Sequence, residues 1–412
     1  MRDTVIVSAC RTPIGAFGGS LQKVQAPHLA AGVMKEAIKR AGLQDQMDII
    51  QDVRFGSCLE PVDAMNVART SALLAGIPDS VPAITVNRVC ISGMAAVLDA
   101  SMYIVNNVLD CCLVGGVESM SNVPYVVQEA RWGIRLQDKQ FADGLIHGLQ
   151  CGSIFVPYPK DGPVEWARGK PYIMGQTAEF LALRDGWTRK QQDEVALRSH
   201  NMAERANTDG TFKDEMIPVV IEDRKKGEIV VDKDEHYRPG LTMEALANLP
   251  PAFVPKVGTV TAGNSSGIND GASAMIVMSE EKATELGLKP LAKITAMGMG
   301  ANAPEIMGRS PVPAVNDLLK RYPNYKLDDF ERIEVNEAFA SQYLTVEKEL
   351  GLNREITNVN GSGIGLGHPV GCTGNRIMVS LLYELIHSGK TTGLATLCGG
   401  GGVSMATVLE KL

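Results

Sequence analysis

The stretch Val86-Asn87-Arg88-Val89-Cys90-Ile91-Ser92-Gly93-Met94 joins the apolar run Ala83-Ile84-Thr85-Val86 to the Ala-rich run Met94-Ala95-Ala96-Val97-Leu98-Asp99-Ala100. The first run reads as a strand. The second, whose apolar spacing continues through Met102 and Val105, reads as a helix. A cysteine between a strand end and a helix start lies beside unpaired backbone N–H groups and the positive end of the helix dipole. That setting favours thiolate over thiol, and the thiolate is the nucleophile. Ser92 and Gly93 are small and leave room for a substrate carbonyl. Taken alone, Cys90 also fits a buried structural thiol, so the rest of the chain has to decide.

Outward from this stretch, strands at 4–9, 52–57, 83–86 and 111–115 alternate with helices near 27–41, 64–76 and 91–107, the pattern of an α/β layer fold. Residues 122–250 change character, with a polar helix at 189–207, a charged turn at 222–228 and a Pro-rich loop at 156–163. They read as an excursion from the first unit. A second alternation starts near 288, with strands at 291–295 and 331–335 and helices near 312–321 and 373–388. The two alternations echo each other. Leu113-Val114-Gly115-Gly116-Val117-Glu118-Ser119-Met120 resembles the segment from Leu397 to Met405, and Val86-Asn87 resembles Val359-Asn360 before a glycine-rich loop. Gly-Gly after a strand is common enough to arise by chance. A true duplication would set equivalent strand ends, and the loops they carry, face to face.

Bulk properties narrow the class. The chain has 412 residues, 45% hydrophobic and 21% charged, enough for two or three domains. A net charge of −7 with no basic run argues against nucleic acid or an anionic membrane as main partner. Eight cysteines include no C-x-x-C pair, so neither a zinc ribbon nor a redox motif is signalled, and no metal is expected. A strand beginning at Thr4 and the lack of any membrane-length apolar run lead to the expectation of a cytoplasmic protein with reduced thiols.

Three other stretches carry chemistry-bearing residues. Gly365-Leu366-Gly367-His368-Pro369-Val370-Gly371 sets a histidine, base or structural, in a glycine-rich loop before a helix. Cys398-Gly399-Gly400-Gly401-Gly402 follows a strand and either opens the backbone to a ligand or simply turns. Asn336-Glu337-Ala338-Phe339 follows a strand and also fits an ordinary helix cap. Together they offer a nucleophile, a base, a second thiol and an amide, each at a strand's C-terminal end, where open α/β sheets build sites.

With these blocks the sequence resembles the thiolases, acyl-CoA C-acyltransferases. The match extends through Ser8-Ala9-Cys10-Arg11-Thr12-Pro13-Ile14-Gly15, the block from Gly115 to Tyr125, Met174-Gly175-Gln176-Thr177-Ala178-Glu179, the block from Asp234 to Phe253, and the run from Gly258 to Gly267. The resemblance implies a five-layered αβαβα sandwich of two duplicated halves: residues 1–121 with 251–284, an inserted loop domain at 122–250, and residues 285–412. It implies that Cys90 takes the acyl group, that His368 accepts its proton, and that Cys398 moves a proton at the α-carbon. One oxyanion would be held by His368 with a water on Asn336, the other by the N–H groups of Cys90 and Gly400. Coenzyme A would meet Arg238 and Ser266, with Ala262, Phe253, Met174 and Phe339 as tunnel walls. A homodimer or tetramer is implied.

Several positions depart from short-chain members: Ile173 where a His is usual, Phe180 where Asn is frequent, Asn360-Gly361-Ser362-Gly363-Ile364-Gly365 before the histidine, and a longer segment at 147–172. That segment holds Phe155, Tyr158, Trp166 and Tyr172 with Lys160, Arg168 and Lys170, and we expect it to shape the acyl pocket. The substrate expected is therefore a bulky or aromatic β-ketoacyl-CoA such as benzoylsuccinyl-CoA, whose thiolases pair with a small zinc-finger subunit. The alternative is short-chain acetyl-CoA acetyltransferase activity on acetoacetyl-CoA. A ketosynthase is disfavoured by Cys398, and a non-catalytic thiolase-like lipid-binding subunit by the presence of all four site residues.

Overall fold

Strand Thr4–Arg11 (β1) is buried along its whole length, and its side chains alternate between two cores. In the computed structural model, which describes residues 2–225 and 227–412, this two-sided burial recurs through the main sheet. On Cys111–Ser119 (β4), Cys111 and Leu113 face one core while Cys112 and Val114 face the other. Strands β1 and β4 share the sheet with Asp52–Gly56 (β2), Ala83–Val86 (β3), Asn269–Ser279 (β5), Ala292–Ala301 (β6), Arg332–Val335 (β7), Thr392–Gly399 (β8) and Val403–Lys411 (β9). The order is β7-β8-β9-β6-β1-β5-β4-β2-β3.

The order divides into two copies of one pattern. In the first, β1 runs antiparallel to β5, β5 antiparallel to β4, and β4 parallel to β2, which is parallel to β3. In the second, β6 is antiparallel to β9, β9 antiparallel to β8, and β8 parallel to β7. A parallel bridge from Ile333 to Thr357 stands where the first copy has β3. Only Thr4, Val5 and Ile6 of β1 pair with β6 to join the copies.

Helices Ala26–Arg40 (α1) and Val67–Ala75 (α2) pack on one face of the first copy. Helix Ser92–Val105 (α3) and a helix at Val370–Ser388 share a core between the two copies. Pro311–Arg321 and Ala340–Leu350 cover the outer face of the second. The result is five alternating layers, as expected. α2 starts three residues later than the sequence reading because Asn66 caps it, its Oδ1 accepting from the Arg69 N–H at 3.0 Å.

The two central helices touch backbone to backbone at their N-terminal turns. A Cβ on Gly93 would lie 2.7 Å from the amide N of Asn375, and one on Gly374 would lie 2.4 Å from that of Met94. No larger residue permits this approach. It brings the loop carrying His368 against the loop carrying Cys90.

The excursion is anchored on β1 by the fully buried Arg11, whose guanidinium donates to both oxygens of Asp234 (2.7 and 3.0 Å) and to Glu215. Its polar helix runs Arg189–Thr208. The charged turn expected at 222–228 joins the paired strands Val219–Asp223 and Gly227–Val231, with Lys226 outside the described residues.

Candidate active site

Cys90 sits between β3 and α3 with 7% of its surface exposed. Val89 before it has φ 51°, a left-handed conformation that costs a β-branched residue about 1–3 kcal/mol. Neighbouring donors hold the bend: the Val89 carbonyl accepts from the Ser92 amide (3.0 Å), the Ser92 hydroxyl and the Cys58 thiol (2.8 Å). The sulfur meets the N–H groups of Gly400 and of Cys90 itself, which favour a negative charge. Burial outweighs them, and the Cys90 thiol is pushed up to about 11. This corrects the expectation of a resting thiolate. The helix start and N–H donors are present as read, but desolvation of a buried sulfur is the larger effect. Alkylation of Cys90 by iodoacetamide should therefore keep accelerating with pH beyond about 8.5, the ordinary thiol value. A plateau near neutrality would show a resting thiolate.

His368 is 5% exposed, and its Nδ1 lies 2.7 Å from the Thr373 hydroxyl. That hydroxyl donates its one proton to the Pro369 carbonyl at 2.9 Å. It therefore accepts from Nδ1–H, which leaves the Nε2 lone pair with no partner among the described residues. Burial, followed by the charge of Arg376, lowers the imidazole to about 3. His368 is thus neutral at physiological pH and oriented as a base. Thr373→Val should lower kcat roughly 100-fold with little change in KM, and Thr373→Ser should restore it. Equal activity in the valine variant would remove Thr373 from this role.

Cys398, next to last in β8, is 1% exposed, and its thiol is raised by burial and then by the nearness of Cys90. It packs with Met174, Ala178, Met307, Ala338 and Phe339. Asn336, just after β7, is fully buried, and neither atom of its side-chain amide has a partner among the described residues. A buried amide left unpaired costs about 1–3 kcal/mol, so it points to a polar group or water received there. Across these loops runs Glu118, fully buried, whose carboxylate accepts from the amides of Cys58 (2.9 Å), Leu59 (3.0 Å) and Gly371 (2.8 Å). One side chain thus ties the loop behind Cys90 to the turn after His368.

Of the expected coenzyme A contacts, Met174, Phe253 and Phe339 join Cys398 in one apolar cluster, with Phe253 edge-on to Phe339 at 6.2 Å. The Ser266 amide donates to the Ala338 carbonyl at 2.9 Å, Ala262 is exposed, and Arg238 is exposed beside His200 and His236. Among the described residues no three His, Cys, Asp or Glu side chains are placed to hold a metal ion, and no helix is long and apolar enough to cross a membrane.

Comparison with known proteins agrees with this geometry. The thiolase N-terminal domain family matches residues 4–281 and the thiolase C-terminal domain family residues 288–411. The chain belongs to the thiolase family. It is 45% identical to an acetyl-CoA acetyltransferase of Syntrophomonas wolfei, over all of both chains. The crystal structure of the Bacillus anthracis acetyl-CoA acetyltransferase superposes with TM-score 0.92 at 46% identity, covering 100% of this chain and 99% of that one. Human mitochondrial 3-ketoacyl-CoA thiolase in complex with CoA gives 0.90 at 37% identity, covering 100% and 98%. This thiolase is therefore an acyltransferase with the fold expected of it.

In the 147–172 segment, three of the four aromatic residues gather on Phe180. Tyr158 and Trp166 stack on Phe180 at 4.7 and 4.9 Å, and Tyr172 meets it edge-on at 5.9 Å. Phe155 is 88% exposed. Arg168 donates to the carbonyl of Gly162 within its own loop, and Lys170 to that of Trp166. Phe180, a departure noted from the sequence, is the platform on which these rings gather, in a cluster separate from that of Cys398 and Met174. The segment reaches the site through a different residue, Cys151, which packs with Met174 and Phe253. Sequence reasoning missed Cys151, Cys58 and Thr373. Only Thr373 had a usable signal, a hydroxyl one helical turn into the helix that His368 precedes.

Proposed function

We propose that this thiolase cleaves and forms β-ketoacyl-CoA esters by covalent catalysis at Cys90. In cleavage, the Cys90 sulfur attacks the β-carbonyl carbon and its proton passes to His368 Nε2. The bond between the α- and β-carbons breaks, and the electron pair left on the α-carbon takes a proton from Cys398. The shortened acyl-CoA leaves; the thiol of free CoA then gives its proton to the Cys398 thiolate and attacks the thioester on Cys90, while the proton held on His368 returns to the departing cysteine sulfur. The N–H groups of Cys90 and Gly400 serve one oxyanion, and His368 with a water on Asn336 the other. A single such donor contributes roughly 3–4 kcal/mol. Arg238, Ser266, Ala262, Phe253, Met174 and Phe339 receive CoA. The observation that carries this reading is a buried imidazole whose Nε2 has no partner among the described residues, on a loop packed against a cysteine that meets the Gly400 N–H.

For the acyl group, the names of the relatives support acetoacetyl-CoA. A bulky substrate such as benzoylsuccinyl-CoA is the second reading. It loses the support of the stacked aromatic residues, but keeps that of a long segment ending at the pocket. Incubation with acetyl-CoA should add one acetyl group at Cys90 by intact-mass and peptide analysis, and Cys90→Ala should add none. Acylation at another residue would overturn the assignment. Thiolysis of acetoacetyl-CoA and benzoylsuccinyl-CoA side by side ranks the two substrates.

Assembly as a homodimer is proposed through β3, the sheet edge, where Ile84 is 46% exposed beside a cavity of about 520 Å³ lined by Arg88, Met102, Met299 and Met405. A small zinc-finger subunit would find exposed apolar side chains in Trp132, Leu136, Phe141 and Phe155. Dependence of activity on a second protein tests that reading. A cytoplasmic location accords with the reduced thiols the mechanism needs.

A further inference from the structure

Gly400 has no room for a side chain, and the reason is Cys151. A Cβ built on Gly400 would stand 2.2 Å from the Cys151 sulfur, 2.8 Å from its Cβ and 3.2 Å from the sulfur of Met174. Cys151 therefore lies flat against the residue whose N–H meets the Cys90 sulfur. An acyl group on Cys90 with its oxygen at that N–H has Cys151 as an immediate neighbour.

The local backbone shows that this placement is enforced. Cys151 adopts φ 46°, a left-handed conformation that a cysteine takes only under constraint, and Gly152 after it has φ 84°. Its amide donates to the Gly148 carbonyl at 3.0 Å, and its thiol lies 3.5 Å from the same oxygen. Just beyond, the Ser153 hydroxyl donates to the Tyr172 carbonyl (2.6 Å) and accepts from the Tyr172 amide (2.9 Å). Tyr172 in turn rests on Phe180. The aromatic stack thus buttresses the turn that presses Cys151 onto Gly400. Glycine would relieve the conformation at 151, so the side chain stands there against a local cost.

We propose that Cys151 is a specificity-determining residue, the wall that limits the size and branching of the acyl group carried by Cys90. This rests on the thiolase reading of Cys90 and adds a residue to it. A pocket change of about one methylene alters discrimination roughly 10–200-fold. Removing the thiol and its methylene should move selectivity by at least the lower figure.

The test measures kcat/KM in thiolysis for acetoacetyl-CoA, 2-methylacetoacetyl-CoA and 3-ketohexanoyl-CoA, with wild type, Cys151→Gly and Cys151→Ser. Cys151→Gly is compatible with the positive φ, so its fold is not at risk. It should raise the ratio of the branched and longer substrates to acetoacetyl-CoA roughly tenfold or more. Cys151→Ser, of nearly the same size, should keep the wild-type ratio. Acetylation of Cys90 by acetyl-CoA is followed by intact mass in all three proteins. An unchanged ratio in Cys151→Gly with Cys90 still acetylated overturns the wall. A serine variant shifted as far as glycine also overturns it, because size would then not be the determinant. Failure of the wild type to acetylate at Cys90 would instead overturn the underlying reading.

Discussion

A Cys398→Ser enzyme is expected to keep accepting an acyl group on Cys90 while its carbon–carbon turnover falls roughly 100- to 10,000-fold, the range for loss of a general acid or base. The two thiols differ in surroundings as well as position. Cys90 meets two backbone N–H groups that favour its charged form, whereas the resolved influences on Cys398 are chiefly burial and the nearness of Cys90, both opposing charge. Cys398 therefore holds its proton firmly until a carbanion develops beside it. Serine fills the same space but exchanges protons with carbon far less readily. Intact mass reports acylation, and deuterium wash-in at the α-carbon of acetyl-CoA reports proton transfer. Exchange at the wild-type rate in the serine variant would remove Cys398 from the acid–base role.

Glu118→Ala is expected to cost both stability and acylation. Its carboxylate is the acceptor for three backbone N–H groups drawn from two loops far apart in sequence. Each donor left buried without an acceptor costs about 1–3 kcal/mol, so the three together cost roughly 3–9 kcal/mol. The loss should appear as a lower denaturant midpoint. It should be accompanied by slower acylation of Cys90, since Cys58 can no longer be held under the Val89 carbonyl. Glu118→Gln keeps one acceptor oxygen and should fall between. Unfolding at the wild-type denaturant concentration would show that the loops are held by other means.

What could be read in the sequence was what local spacing determines. Cys90 between a strand and a helix, His368 in its glycine loop, and the Gly-Gly pairs repeated in the two copies are short-range patterns, although Gly115 and Gly116 lie within β4 and not after it. The thiol state of Cys90 could not be read, because desolvation depends on everything packed over the sulfur and outweighs the adjacent helix start. The 147–172 segment reads from the sequence as rich in aromatic residues, but the partner on which its rings stack could not be read. Which side of the Met174–Asp185 helix they cover depends on Phe180, a contact that no periodicity announces. Cys151 was invisible for the same reason, since its meaning comes from Gly400, far along the chain.

The backbone contact between the turns at Gly93 and Gly374 bears on how the enzyme comes into being. Cys90 is made early in synthesis, while its base and the Gly400 N–H come from the second copy of the fold. A ribosome-bound or half-folded chain accordingly carries the cysteine without the groups that activate it. On the proposed mechanism, such a chain has no catalysed route to acylation by the cell's thioester pool before it is finished. Catalytic competence and completion of the fold are the same event, so recovery of acylation during refolding should follow docking of the two halves and not precede it.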